Sequence, residues 1–327
     1  MAFAYALFGH RINSPIPLDG LASFCSTEGG EPVIDLVVGE LAEPDYGDGL
    51  SHALHFDEGG ASGSLSLTRD ASGAFTIFTN TVFELDDRRV HARIDHDPVA
   101  GRLRMRENRP IDPLEVVSFL VSPSMPLWLR ATHRFLPLHA SVIALDDKAV
   151  AICGPSGAGK TTLALHCRKR SLAIMADDMA AIDWNTGMVH HGAAFSRLDQ
   201  QQFALIEEGG ATRRSPRFPK SLLDTGQHPY WSDPRPLPLA GIVLLTDFQD
   251  GQPISIEPIP AVEAGIALNA NLTGEMFPPT KAQRQAGLSA AMAVAKQVAV
   301  YRLRRPAGLD HLDATVDAIC HVIQQGQ

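Results

Sequence analysis

From the start of the chain to about residue 110, apolar positions recur every second residue: Leu65 and Leu67 in GSLSLTR, Val90, Ala92 and Ile94 in RVHARID, Leu103 and Met105 in RLRMREN. Turn-forming residues at Asp70 to Gly73 and at Asp86-Asp87 punctuate these runs. The pattern predicts a β-rich, antiparallel unit with one face buried and the other wet. The opening residues MAFAYALFGHRI carry no basic residue ahead of a short apolar run and no small-residue cleavage pattern after it, so they predict a strand rather than a signal peptide.

Between residues 111 and 135 the spacing turns helical, broken at Pro123 and Pro126, which predicts two short helices. At 327 residues the chain exceeds what one core usually serves, so a boundary is expected near residue 125: a β-rich N-terminal domain over 1–125 and a second domain over 126–327. LHASVIAL and AVAICG, separated by Asp146, Asp147 and Lys148, predict a tight antiparallel hairpin. The last third alternates strand-like and helix-like stretches. Its final helix carries an apolar stripe of Leu309, Leu312, Val316, Ile319 and Ile323.

Composition narrows the functional classes. With 45% hydrophobic and 20% charged residues the chain has enough apolar surface to fold as a globule. Its 28 basic and 37 acidic side chains leave a net charge of −9, which repels nucleic acid and anionic membrane. Cys25, Cys153, Cys167 and Cys320 show no CxxC spacing, so neither a zinc knuckle nor a disulfide framework is expected. No apolar run approaches the ~18 residues of a spanning helix. The expectation is a soluble cytoplasmic protein with reduced thiols and neither nucleic acid nor membrane as partner.

Residues 154 to 161 read GPSGAGKT, a complete GxxxxGK[ST] pattern with a strand before it and a helix-forming stretch after it. In that context backbone amides and a helix N-terminus converge on phosphate oxygens. The nucleotide-binding set is therefore Gly154, Pro155, Ser156, Gly157, Ala158, Gly159, Lys160, Thr161 and Thr162, with Lys160 reaching the β and γ phosphates and Thr161 a Mg²⁺ ion. ATP and Mg²⁺ are the expected cofactors. Downstream, SLAIMADDM predicts a strand over Leu172 to Ala176 ending in Asp177 and Asp178, close enough in sequence to return beside the loop. Neighbouring side chains on a strand point to opposite sides, so one carboxylate can hold Mg²⁺ while the other takes a proton from an attacking hydroxyl. His139, in the strand before the loop strand, is a third candidate, placed to orient Asp177 or share its proton.

The segment LHASVIALDDKAVAICGPSGAGKTTLALHCRKRSLAIMADDMAAI resembles the catalytic domain of HPr kinase/phosphorylase and the wider group of HPr-kinase-like proteins, which includes kinases that tailor lasso-peptide precursors. The likeness extends over roughly residues 126 to 310. It implies an α/β fold: a mixed-sheet P-loop kinase domain of the HPr kinase/phosphoenolpyruvate carboxykinase type, here behind a small β-rich N-terminal domain. It further implies Asp177 as general base towards a serine hydroxyl, His139 as its helper, Thr161 with Asp178 on the magnesium side, a serine-bearing peptide or small protein as acceptor, and a homo-oligomer. Ala140 stands where HPr kinases carry glycine and Thr162 where they carry glutamate, so neither phosphorolysis nor HPr as acceptor is expected. Alongside the serine kinase stand two other readings, a small-molecule hydroxyl kinase and a nucleotide-binding regulator without transfer.

Residues 207 to 236, rich in Gly, Pro and Arg, predict a long irregular loop. Arg213 and Arg214 within it are candidates for a phosphate clamp, because guanidinium forks suit a transferring phosphoryl group. Replacing both with alanine is expected to lower turnover far more than nucleotide affinity, as measured by steady-state kinetics beside a binding titration. Unchanged turnover removes them from the mechanism.

Overall fold

The computed structural model describes residues 3–18, 21–23, 33–41, 52–58, 61–71, 73–83, 88–193, 195–198, 211–213, 221–224, 233, 235–246, 248, 251, 253–274 and 277–325. The protein is a mixed α/β structure built on two large sheets and a small third one. The first sheet is formed by β1 (Phe3–Leu7), β2 (His10–Ser14), β3 (Ala22–Ser23), β4 (Val33–Glu40), β5 (His52–Glu58), β6 (Ala61–Arg69), β7 (Phe75–Phe83), β8 (Arg88–Asp97) and β9 (Arg102–Glu107). Of the alternating positions of the sequence, Leu67, Val90, Ala92, Ile94, Leu103 and Met105 are buried and Leu65 is partly buried. The sheet is mixed, however, because β4 runs parallel to both β2 and β9. A period of two marks a buried face and is blind to strand direction.

Two short helices follow, α1 (Pro113–Phe119) and α2 (Met125–Thr132), joined by a kink over Leu120–Ser124 in which Ser122 is extended and Pro123 follows it. Asp112 caps α1 by accepting from the Leu114 amide. Pro126 lies in the first turn of α2, where a missing N–H costs nothing.

The second sheet takes up β10 (Phe135–Leu138), β11 (Ala140–Leu145), β12 (Lys148–Cys153), β13 (Ala173–Ala176), β14 (Ala180–Asp183), β15 (Met188–His190), β19 (Leu237–Leu245), β20 (Ser255–Pro258) and β21 (Val300–Arg304). Three further strands, β16 (Phe195–Leu198), β17 (Ala211–Arg213) and β18 (Ser221–Asp224), make the small sheet, so part of the predicted irregular loop is strand. The helices are α3 (Lys160–Lys169), α4 (Ala261–Ala270), α5 (Lys281–Gln297), opened by a Thr280/Gln283 capping box, and α6 (Leu312–Gln325).

β11 and β12 form the expected hairpin around Asp146-Asp147. β12, β19 and β21 lie parallel and side by side, so their carboxyl ends share one edge. On one face of them Leu163, Ala164 and Cys167 of α3 pack with Ile143, Ile152, Val316 and Ile319. The other face joins an apolar cluster that continues through Met175, Ala176 and Trp128 to Leu7, Phe8 and Ile12 of the first sheet. Along α6 the buried stripe is Leu312, Val316, Ile319 and Val322; Leu309 precedes the helix and is exposed, since the first turn starts three residues later than the periodicity implied. The side chain of Ile323 lies outside the described residues, as does Cys25. No described helix is long and apolar enough to cross a membrane.

Two histidines of the first sheet are buried, and among the described residues neither forms an ion pair. His10 donates from Nδ1 to the Phe8 carbonyl at 3.0 Å, and desolvation pushes its pKa down to about 4. His96 stacks on Phe75 and is pushed down to about 3 for the same reason. The unfolded chain takes up these protons near 6.5 and the native protein does not, so stability is fully present above pH 6.5 and declines as pH falls towards 4. Each histidine is expected to contribute up to about 1.4 kcal/mol per pH unit in that window. Denaturant titrations at pH 7 and pH 5 test this, and His96→Phe should flatten the dependence; a variant with the wild-type pH slope contradicts the assignment.

Candidate functional site

The site forms where β12 runs out and α3 begins. Cys153 ends the strand, Lys160 starts the helix, and the glycine-rich loop between them occupies the shared edge of the parallel strands. Gly157 and Gly159 adopt φ of +81° and +85°, a region that side chains disfavour. A Cβ at Gly157 would meet nothing within 4 Å, so this part of the loop faces open space. Gly159 offers no side-chain cap to the first amides of α3. Lys160 is buried and folds back, its Nζ donating to the carbonyls of Gly154 at 2.8 Å and Pro155 at 3.0 Å. Pro155, Ser156 and Gly157 form an exposed rim; Thr161 and Thr162 are half-buried in the first turn. A helix N-terminus, uncapped amides and a lysine gathered in one hollow can receive an anion.

Asp177 follows the last residue of β13 and is 3% exposed. Its Oδ1 accepts from Ser141 Oγ of β11 at 2.5 Å and from Thr161 Oγ1 at 3.4 Å. Its Oδ2 is buried and makes no well-aligned hydrogen bond. Burial raises the Asp177 pKa above the usual carboxylate value, against the opposing pull of the Ser141 and Ser196 hydroxyls and the Asp178 amide. The sequence reading brought the strand end back to the loop, and the structure joins the two through the Thr161 hydroxyl.

Asp178 departs in another direction. Its φ of +71° turns the chain out of the strand, and its side chain is one-third exposed. His139 lies between β10 and β11 rather than within a strand, and its amide donates to the Asn271 carbonyl. The imidazole Nδ1 is 3.1 Å from the Asp178 carbonyl oxygen and 3.6 Å from Asp178 Oδ1. It therefore accompanies Asp178, where the sequence reading had put it with Asp177.

Arg213 ends the short strand β17, and its side chain lies outside the described residues, as does all of Arg214. Cys153 directly precedes the loop, but burial pushes its thiol up to about 12, so it is no nucleophile. Two residues escaped the sequence reading. Ser141 lies on β11 opposite the end of β13, a pairing over 36 residues that left no local signal. Arg305, buried against the loop, is 147 residues away from its contact and left no local signal.

No protein-family model and no curated protein matches the chain. Among solved structures, the HPr(Ser) kinase/phosphatase from Coxiella burnetii aligns with a TM-score of 0.30 and 11% sequence identity, over 58% of this chain and 99% of that one.

The Ser141 contact yields a direct test. Ser141→Ala removes the donor to a fully buried carboxylate and should cost about 1–3 kcal/mol of unfolding free energy. Denaturant unfolding measures it; a change inside about 0.5 kcal/mol means that the carboxylate does not need this hydroxyl.

Proposed function

We propose that this protein is an ATP- and Mg²⁺-dependent kinase that moves the terminal phosphoryl group to a serine hydroxyl of a peptide or small protein. One observation carries the reading: a buried carboxylate, one oxygen of which lacks a well-aligned donor, sits against a hydroxyl in the first turn of the helix after a glycine-rich loop. Proteins seldom bury a carboxylate in this way unless a cation or a proton completes it.

The residues fit such a pair of cofactors. Thr161 Oγ1 and Asp177 would hold Mg²⁺, whose remaining ligands are phosphate oxygens and water, as its preference for few protein ligands requires. When bound, the ion neutralises charge on the phosphate oxygens. The loop amides from Gly154 to Gly159 and the first turn of α3 would hold the phosphates, and Lys160 would exchange its two carbonyl acceptors for phosphate oxygens. Asp178, more exposed and flanked by His139, is the better-placed proton acceptor for an incoming hydroxyl. This assignment exchanges the two roles expected from the sequence, where Asp177 was the base and Asp178 the magnesium ligand. The geometry supports the exchange because Asp177 is the one beside Thr161 and the one closed off from an acceptor.

Incubation of the purified protein with labelled ATP, Mg²⁺ and serine-containing peptides tests the proposal. Phosphoserine is the expected product. Asp178→Asn should lower turnover at least about a hundredfold with Mg²⁺-nucleotide affinity retained, whereas Asp177→Asn should lose the Mg²⁺ dependence of nucleotide binding. Full turnover by Asp178→Asn removes the proton acceptor, and label found on a metabolite or only as bound nucleotide replaces the serine kinase with another reading.

A further inference from the structure

Arg305 follows the last residue of β21 and lies on the same sheet edge as the loop, because β21, β19 and β12 run parallel in adjacent registers. Its side chain is 4% exposed. Nη2 donates to the Ala158 carbonyl at 2.7 Å, and a Cβ built on Gly159 would come within 2.6 Å of the same nitrogen. The Phe248 ring covers the guanidinium at 5.0 Å. Nε is buried with no hydrogen-bond partner, and among the described residues no carboxylate pairs with the cation.

A guanidinium has five donors in a rigid fork, and burial without a counter-charge is unfavourable. Most buried arginines resolve that by meeting a carboxylate. This one instead meets the backbone of the loop that surrounds the proposed phosphate site. A trans peptide points its C=O and its N–H in opposite directions. An arginine that holds the Ala158 carbonyl from outside therefore favours a Gly159 amide turned into the hollow. The same charge, shielded from water by Phe248, adds positive potential at the loop.

We propose that Arg305 is the positioning residue of this site: it fixes the 158–159 peptide in its anion-receiving orientation and supplies the standing positive charge that a polyphosphate balances. The proposal rests on the polyphosphate reading of the loop given above. It assigns to the last strand of the large sheet the cationic role that the sequence suggested for Arg213 and Arg214.

Calorimetric titration of the full-length protein with inorganic tripolyphosphate, with and without Mg²⁺, tests it alongside thermal unfolding. Arg305→Lys keeps the charge but loses the fork, and Arg305→Met keeps the approximate bulk but loses both. Arg305→Lys should weaken tripolyphosphate binding at least about tenfold, with more loss in Arg305→Met. The ligand-induced rise in unfolding temperature should shrink in step, while the ligand-free midpoint of Arg305→Lys stays close to wild type. A merely structural arginine would instead lower that ligand-free midpoint and leave the affinity of the folded fraction unchanged, which overturns the proposal. If Arg305→Met does not fold, the lysine variant alone decides. A wild-type protein that binds neither tripolyphosphate nor nucleotide overturns the polyphosphate reading itself, and this proposal with it; a wild-type protein that binds, beside variants that bind equally well, overturns only the role of Arg305.

Discussion

The arrangement depends on how Asp177 is buried. A carboxylate at 3% exposure, with one oxygen held by two hydroxyls and the other without a well-aligned donor, is a costly feature for a fold to keep. Every neighbouring element contributes to keeping it there. β11 brings Ser141, the first turn of α3 brings Thr161, and β13 delivers the acid from behind. The antiparallel pairing of β11 with both β12 and β13 brings three segments distant in sequence within one hydrogen-bond radius.

The two acids adjacent in sequence end in different surroundings because the backbone changes hand between them. Asp177 continues the line of β13, while the left-handed φ at Asp178 swings the next carboxylate to the half-open side where His139 lies. One residue of backbone thus separates a desolvated carboxylate, whose proton affinity is raised, from a hydrated one. Pairs of like groups driven apart by environment are a common way for one site to hold two chemical roles.

Features encoded within a few residues of one another were legible. The glycine-rich loop, the strand before it and the helix after it, the hairpin at Asp146-Asp147 and the return to Asp177 all follow from local spacing, and the structure contains each of them. The alternation of Val90, Ala92 and Ile94 correctly marked a buried face. What sequence could not carry was pairing over distance. The parallel placement of β4 between β2 and β9 depends on strands far apart in the chain, and so does the Arg305 contact to Ala158. His139 was assigned to the wrong acid for a related reason: alternation assumes an extended chain, and Asp178 is not extended.

The apolar wall beneath the strand that bears Asp177 belongs largely to the other sheet. The Phe8 amide donates to the His191 carbonyl at 2.7 Å, and at Gly192 a methyl group would collide with both Phe8 and Ala176, the residue directly before Asp177. Excising residues 1–125 would therefore strip the backing from Met175, Ala176 and Trp128 and leave a greasy scar under the acidic turn. The first sheet thus shares one apolar cluster with the strand that leads into Asp177.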